Sequence, residues 1–165
     1  EFITQAMGGK ARKIIRCMPN TPALVGEGCT GACPSESVTK EELAQVLDLL
    51  QSFGVAQEVP ERLMDAVVAV SGSAPAYVFL FIEAMADAAV AEGMPRNQAY
   101  TFAAQAVLGS AKMVLETGKH PGELKDMVCS PGGTTIDAEK VLEQRGFRAA
   151  VMEAMEACAE KSRNL

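Results

Sequence analysis

At 165 residues and 48% hydrophobic composition, the chain can bury at least one sizeable core, which excludes an intrinsically disordered protein. The net charge of -6 and the absence of a Lys/Arg-rich stripe argue against nucleic acid as the main partner. The longest apolar stretch, residues 74–82, reaches Glu83 and Asp87 well before the roughly 20 residues of a membrane span, so we expect a buried helix of a soluble protein.

The first 60 residues alternate between short β-type runs and one helix. A run at 13–18 stops at Pro19, because proline cannot donate to a sheet and restricts the residue before it. Residues 28–33 predict a weak, glycine-containing strand, and residues 55–59 predict a third one. This alternation is typical of the tail of a doubly wound α/β domain.

The helix of this segment has a clear start. Thr39 resembles an N-cap and Glu42 completes a capping box, ahead of one apolar face and of a stop at Gly54. The face carries Leu43, Val46, Leu47 and Leu50.

From residue 61 onward the periodicity is helical throughout. An interruption at 71–75 combines serine and proline, which fit a capped start of a new helix. The next segment, residues 77–91, is apolar nearly all round and must be covered on all sides. About 100 helical residues supply little material to cover it, so we expect a homo-oligomer.

These patterns predict a mainly α chain of two domains. Residues 1–60 are predicted to be the tail of a doubly wound α/β domain, and residues 61–165 are predicted to be an all-helical domain. The sequence has no GxGxxG or GxxxxGK[ST] motif to hold a phosphate at a helix N-terminus. Because it also enters an apolar pattern at its second residue, we expect a piece of a longer protein.

Residues 125–135 are the most informative segment for a functional site. Gly132 and Gly133 stand just before a predicted helix at 136–144, where free backbone N–H groups and the helix dipole favour a carboxylate or phosphate. Thr135 would place a hydroxyl beside the same opening. From spacing alone the alternative stays open, namely an ordinary turn with Thr134 as the helix N-cap.

Other candidates are weaker. His120, the single histidine, fits a helix end better than a catalytic base, and Glu83 with Asp87 fit a polar helix face better than a catalytic pair. Cys29 and Cys33 lack the further ligands that structural zinc requires, so we predict no metal site. Five irregularly spaced cysteines argue against a disulfide framework and for a reducing compartment.

The sequence resembles the pyrroline-5-carboxylate reductases. The blocks that carry the resemblance occur in the same order and at similar separations as in that family, and together they span essentially the whole chain. They are MPNTP at 18–22, GEG at 26–28, SGSAPAY at 71–77, HPG at 120–122, SPGGTTI at 130–136 and GFR at 146–148.

The resemblance implies that residues 1–60 are the C-terminal remnant of an NAD(P)-binding Rossmann domain. It implies that residues 61–165 are an all-helical dimerisation and substrate-binding domain, similar to the C-terminal domain of 6-phosphogluconate dehydrogenase. It implies reduction of 1-pyrroline-5-carboxylate to L-proline with NADPH or NADH, the last step of proline biosynthesis, in a homodimer or a higher oligomer. We expect no nucleic-acid or membrane partner, a cytoplasmic location unless a targeting segment directs the protein to an organelle, and no activity from the isolated chain.

The resemblance also assigns roles to residues. The turn would hold the substrate carboxylate through backbone amides, and the Thr135 hydroxyl would orient the ring nitrogen at the catalytic centre. The predicted cofactor-binding residues are Met18, Pro19 and Asn20, beside the nicotinamide. The predicted substrate-binding residues are Val128, Ser130, Gly132, Gly133, Thr134 and Thr135.

Two other functions remain as alternatives. One is a non-catalytic homo-oligomeric scaffold or regulatory module derived from the helical domain. The other is a hydroxyacid dehydrogenase, which by resemblance would need a lysine after a glycine-rich segment, and residues 71–92 contain none.

Overall fold

The computed structural model describes residues 2–9 and 12–165. Within the described chain, two compact units separate. The first unit runs up to Pro75 and includes Met155–Leu165, and the second unit is Ala76–Ala154. The predicted domain boundary at 60/61 stays a prediction.

The first unit contains a three-stranded sheet in the order β1 (Ile15–Met18), β2 (Gly28–Pro34), β3 (Gly54–Glu58), preceded by a short helix α1 (Phe2–Ala6). Strands β1 and β2 are antiparallel, whereas β2 and β3 are parallel and are connected through helix α2 (Lys40–Gln51). A parallel pair needs such a crossover. The predicted α/β segment is confirmed, with strand ends shifted by one or two residues.

Helix α2 begins where the sequence predicts. The backbone N–H of Glu42 donates to Thr39 Oγ1 at 3.3 Å, and the Thr39 N–H donates back to Glu42 Oε2 at 2.9 Å. At the far end, Gly54 starts β3 with a φ of +148°, and a Cβ there would lie 2.1 Å from the Gly28 carbonyl oxygen. Only glycine fits this close approach of two strands.

Between the sheet and the long helices the chain forms a 3-10 turn (Glu61–Leu63), α3 (Met64–Val67) and a π-helical turn (Val68–Gly72). The Ser73 N–H donates to the Val68 carbonyl at 2.8 Å, five residues back. The sequence did not predict this π turn, which one inserted residue produces. The prediction of a new helix at the interruption is confirmed, because an α-helix begins at Ala74, directly after Ser73 and with Pro75 in its first turn.

The remaining elements are helices. They are α4 (Ala74–Ala91), α5 (Arg96–Thr117), α6 (Pro121–Val128), α7 (Thr134–Gln144) and α8 (Phe147–Arg163). The last turns of α8 belong to the first unit, where Cys158 Sγ donates to Ser73 Oγ at 3.1 Å and Ser162 Oγ donates to Asp65 Oδ1 at 2.6 Å. The mainly helical architecture that the sequence predicts is confirmed.

Helices α4 and α5 pack through alanines in the second unit. Ala86, Ala99 and Ala103 are buried, with Ile82 and Met85 packed against them. The buried part of this contact consists of small side chains, and most large apolar side chains of both helices stay exposed. Between them lies an apolar groove of about 450 Å³ lined by Phe81, Met85, Ala106, Val107, Ser110, Ala111 and Val114.

The exposure of α4 is extensive: Phe79 is 60% exposed and Leu80 is 67% exposed. By length and composition alone the helical run Glu61–Ala91 could cross a membrane: an 18-residue window within it has a mean hydropathy of 1.6, and 6% of that window is buried. This run is longer than the apolar stretch that we expected to end at Glu83. The same exposure is expected of a soluble helix that a second subunit covers.

Candidate functional site

The turn between α6 and α7 carries the predicted substrate-binding residues, and all of it lies in the second unit. Helix α6 begins at His120, whose Nδ1 accepts a hydrogen bond from the Gly122 N–H at 3.0 Å. This histidine is therefore a helix cap, as the sequence analysis favoured. At the other end, the Cys129 N–H donates to the carbonyls of Lys125 and Asp126, both at 3.2 Å.

A tight turn connects Cys129 to α7. The Gly133 N–H donates to the Ser130 carbonyl at 3.0 Å, and Gly132 has a φ of +67°, a left-handed conformation that glycine adopts without cost. Gly133 is the N-cap of α7, so the helix begins at Thr134. The reading of Thr134 as N-cap was wrong, because the extended backbone that a cap requires falls at Gly133 (φ -81°, ψ 168°).

The start of α7 is open for an anion. The first amides of a helix have no partner within it, and among the described residues no side chain caps this helix. A Cβ on Gly133 would lie 2.3 Å from Ser130 Oγ and 3.1 Å from the Ser130 carbonyl oxygen. The turn is thus narrow enough that glycine is needed to keep its amides accessible.

The side chains around this opening differ in exposure. Thr135 is half-buried, whereas Ser130, Thr134 and Val128 are exposed, Val128 by 65%. The half-buried hydroxyl sits on the first turn of α7 beside the free amides. Geometrically, the turn offers backbone donors for one carboxylate and a single hydroxyl that can donate or accept.

Sequence reasoning missed Glu139, which lies one helical turn after Thr135 on α7. Its carboxylate contacts Lys125 Nζ at 3.0 Å and accepts from Cys129 Sγ at 3.4 Å. Hydrogen bonds from Lys125 and then Cys129 lower the pKa of Glu139, while burial and then the hydrogen bond to Glu139 raise the pKa of the Cys129 thiol. Asp126 and then Glu139 raise the pKa of Lys125 well above its usual range. Because these contacts cross 14 and 10 residues, no local spacing in the sequence signalled them.

The predicted cofactor loop lies in the first unit, where β1 ends at Met18. The Asn20 side chain makes two hydrogen bonds: Oδ1 accepts from the Cys29 N–H at 2.8 Å, and Nδ2 donates to the Ser71 carbonyl at 3.1 Å. Asn20 therefore joins the end of β1 to β2 and to the π-helical turn. Met18 is half-buried, its Sδ 3.8 Å from where a Cβ on Gly72 would stand, and Pro19 is exposed.

The weaker candidates do not form a site. Asp87 forms an ion pair with Arg96, whose guanidinium also lies over the Tyr100 ring, 5.6 Å from its centroid. Asp87 is thus half of a salt bridge between two helices. In the described part of the chain, no group of three or more His, Cys, Asp or Glu side chains could hold a metal ion.

The six predicted substrate-binding residues lie in and beside one turn of the second unit, and Met18, Pro19 and Asn20 lie in one loop of the first unit. Their roles stay predictions. A small α/β sheet is followed by helices with uncovered apolar faces and by a turn with open backbone amides.

A family model described as "Pyrroline-5-carboxylate reductase dimerisation" matches residues 61–165. The chain belongs to the pyrroline-5-carboxylate reductase dimerisation family.

Relatives named pyrroline-5-carboxylate reductase match nearly the whole chain. The one from Escherichia coli (strain K12) is 67% identical over 157 residues, covering 95% of this chain and 58% of that protein. The one from Arabidopsis thaliana is 50% identical over 153 residues, covering 93% and 55%. The chain therefore spans little more than half the length of these relatives.

Solved structures of such reductases are also similar. A Plasmodium falciparum pyrroline carboxylate reductase with NADP bound has a TM-score of 0.90 and 40% identity, over 97% of this chain and 64% of that one. A pyrroline-5-carboxylate reductase from Coxiella burnetii has a TM-score of 0.93 and 37% identity, over 98% of this chain and 60% of that one.

Proposed function

We propose that this chain supplies the substrate-binding and oligomer-forming part of a pyrroline-5-carboxylate reductase, which reduces 1-pyrroline-5-carboxylate to L-proline with NADPH or NADH. The observation that carries the proposal is the uncapped N-terminus of α7, opened by Gly132 and Gly133 and bordered by the Thr135 hydroxyl. Family membership and the 67% identity to the E. coli reductase support it.

The turn recognises the substrate by its carboxylate. Gly133, Thr134 and Thr135 lie at the positive end of the α7 dipole, where backbone N–H groups bind an anion without a cationic side chain. Ser130 shapes the entrance, because its hydroxyl and carbonyl lie against the face of Gly133. A neutral turn binds the carboxylate moderately, as is appropriate for a site that must also release a carboxylate product.

Thr135 orients the ring nitrogen. Its hydroxyl can donate to the imine nitrogen or accept from its protonated form, which fixes the plane of the ring relative to an incoming hydride. A threonine hydroxyl is too weakly acidic to protonate the imine at neutral pH, so this role is positioning rather than general acid catalysis.

The cofactor supplies the hydride to the C=N carbon when it is bound. Met18, Pro19 and Asn20 would border its nicotinamide end: the exposed Pro19 offers an apolar edge, and both hydrogen bonds of Asn20 hold the loop in place. These residues fit one edge of the cofactor, and we expect other parts of a complete reductase to hold its phosphates. The NADP in the P. falciparum structure supports a nicotinamide cofactor here.

The helical segment forms a homodimer or a larger assembly of this chain. The apolar faces of α4 and α5 are the surface that a second copy would cover, and the family description supports dimerisation. This surface also favours the second candidate function, a scaffold that assembles without chemistry, because assembly requires neither the turn nor the cofactor.

The test is a chimera in which this chain replaces the matching 157 residues of the E. coli reductase. Oxidation of NADPH and of NADH is followed with and without pyrroline-5-carboxylate. We expect an active chimera and a silent isolated chain. A folded, assembled chimera without activity would contradict the reductase proposal and favour the scaffold.

Within the active chimera, Thr135→Val should lower kcat by about 10- to 100-fold, because the ring nitrogen loses its orienting partner. Thr135→Ser keeps the hydroxyl and should retain most of the activity. Equal losses in the two variants would contradict the orienting role, because they would show that keeping the hydroxyl does not preserve the activity.

A further inference from the structure

Three side chains behind the substrate turn form a cluster, here called the Glu139 clamp: Glu139, Lys125 and Cys129. Glu139 Oε1 lies 3.0 Å from Lys125 Nζ, and Oε2 accepts from Lys125 Nζ at 3.2 Å and from Cys129 Sγ at 3.4 Å. One carboxylate thus contacts both the last turn of α6 and the residue that caps that helix.

The ion pair of the clamp joins residues that are far apart in the sequence, and its carboxylate is less exposed than those of the other ion pairs. Lys125 and Glu139 are 14 residues apart, whereas the other ion pairs among described residues of the second unit are at most nine residues apart. The Glu139 side chain is 21% exposed, against 40–73% for the other paired carboxylates in the described chain. A covered pair loses less to solvent screening than an exposed one.

The Glu139 clamp restrains the turn between α6 and α7. The clamp joins the end of α6 to the second turn of α7, and the segment it closes contains Ser130, Gly132 and Gly133. Within that segment the Ser130–Gly133 hydrogen bond is the one backbone bond that the described residues make across the turn. Since glycines leave a turn conformationally free, an external contact is needed to hold its amides convergent.

The charge of Glu139 makes the pair with Lys125 matter. Glu139 is four residues after Thr135, a rise of about 6 Å along α7, so an unpaired carboxylate there would repel a carboxylate at the helix N-terminus. Lys125 offsets part of this charge at 3.0 Å, since the same ammonium also pairs with Asp126 at 2.8 Å.

We propose that Glu139 is a positioning residue of the substrate site, which holds the 130–133 turn in its anion-binding form through Lys125 and Cys129. The proposal rests on the proposed function, because it assigns the clamped turn to the substrate carboxylate. Glu139 does not touch substrate; it acts through the turn.

The experiment measures binding of L-proline, which carries the same carboxylate as the substrate, to this chain by NMR titration of the Gly132 and Gly133 amides. Glu139→Gln should weaken binding roughly three- to tenfold, since the turn loses an ion pair while the thiol keeps an acceptor. Lys125→Gln should weaken it at least as much, because it leaves the Glu139 charge unpaired.

The double variant Lys125→Gln/Glu139→Gln tests whether the two side chains affect proline binding through each other. Removing both charges should bind proline no worse than Lys125→Gln alone, so the two effects should not add. The matched control is Glu143→Gln, one turn further along α7, whose ion pair with Arg148 lies outside the turn. It should lower Tm to a similar extent and leave proline affinity unchanged.

The outcomes separate the two proposals. If the unsubstituted chain does not bind proline at these amides, the substrate site and the clamp both fail. If it binds and Glu139→Gln binds equally well, the clamp is overturned and the proposed function stands. Equal weakening by Glu139→Gln and Glu143→Gln would also overturn the clamp, because it would reflect general stability.

Discussion

Gly133 has an ordinary backbone conformation but leaves very little space for a Cβ, so a substitution there tests the geometry of the turn directly. Its φ of -81° suits any residue, so Gly133→Ala adds no backbone strain, but the new Cβ meets the Ser130 hydroxyl and carbonyl. We expect proline binding, followed by NMR titration, to weaken roughly tenfold as the turn opens.

A second substitution separates the two neighbours. Ser130→Ala in the Gly133→Ala background removes the closer atom, at 2.3 Å, and should recover part of the binding. Gly132→Ala is the control: nothing lies within 4 Å of its Cβ, and its cost of about 1 kcal/mol comes from the left-handed φ. Ser130→Ala should not relieve that cost, and relief there would refute the steric explanation for Gly133.

Local signals predicted much of this site, and tertiary contacts account for what they missed. The turn was visible because Gly132, Gly133 and the helix start are neighbours in sequence. Glu139 was not, because its contacts cross 14 and 10 residues and nothing in the local pattern marks them. The two hydrogen bonds of Asn20 were equally hidden, one of them reaching 51 residues ahead.

At the scale of elements, the capping box that begins helix α2 also takes part in an ion pair. Glu42 closes the capping box and also accepts from Lys13 Nζ at 2.5 Å. The hydrogen bond from Lys13, and then the one from the Thr39 backbone, lower the pKa of Glu42. The unfolded chain has no such contacts, so its carboxyl titrates near the ordinary value of about 4.3.

This difference predicts how stability depends on pH. A carboxyl whose pKa is lower in the folded state stabilises the protein above its unfolded pKa, and the contribution is lost as the pH falls through the folded pKa. Denaturant unfolding should therefore show that the unsubstituted chain has the larger free energy of unfolding at about pH 7. Its difference from Glu42→Gln should shrink as the pH is lowered to about 3. Glu41→Gln, also in the first turn, should show a smaller change. An equal pH dependence for both variants would contradict the capping-box origin.

The π-helical turn at Val68–Gly72 is an element that hydrophobic periodicity could not predict. The serines, glycine and proline at 71–75 indicated a break and a new helix, and that helix begins at Ala74. The π turn before the break was not predicted, because a single inserted residue shifts the helical phase without changing the composition.

For the whole molecule, the uncovered apolar faces predict the assembly state. Leu80 is 67% exposed near the middle of α4, and a charge placed there would have to be buried if a second copy covers this face. We expect sedimentation measurements to give a dimer or a larger assembly for the chain, and a lower mass for Leu80→Glu.

The control is Leu24→Glu, which introduces the same charge at an 87% exposed position on a second 3-10 turn of the first unit, Thr21–Val25. It should leave the mass unchanged. A monomeric chain would contradict the predicted assembly, and a mass unaffected by Leu80→Glu would mean that another surface mediates association.

The double hydrogen bond of Asn20 also makes one amide a reporter on the folding of distant segments. The Cys29 N–H is held by a side chain whose other end binds the Ser71 carbonyl, so the amide is protected only while the strand and the π-helical turn are docked together. Hydrogen exchange at Cys29 therefore follows the opening of that junction. Its exchange rate, compared with that of the Leu43 amide within α2, would show whether the loop at Met18–Asn20 opens locally or only when the entire unit unfolds.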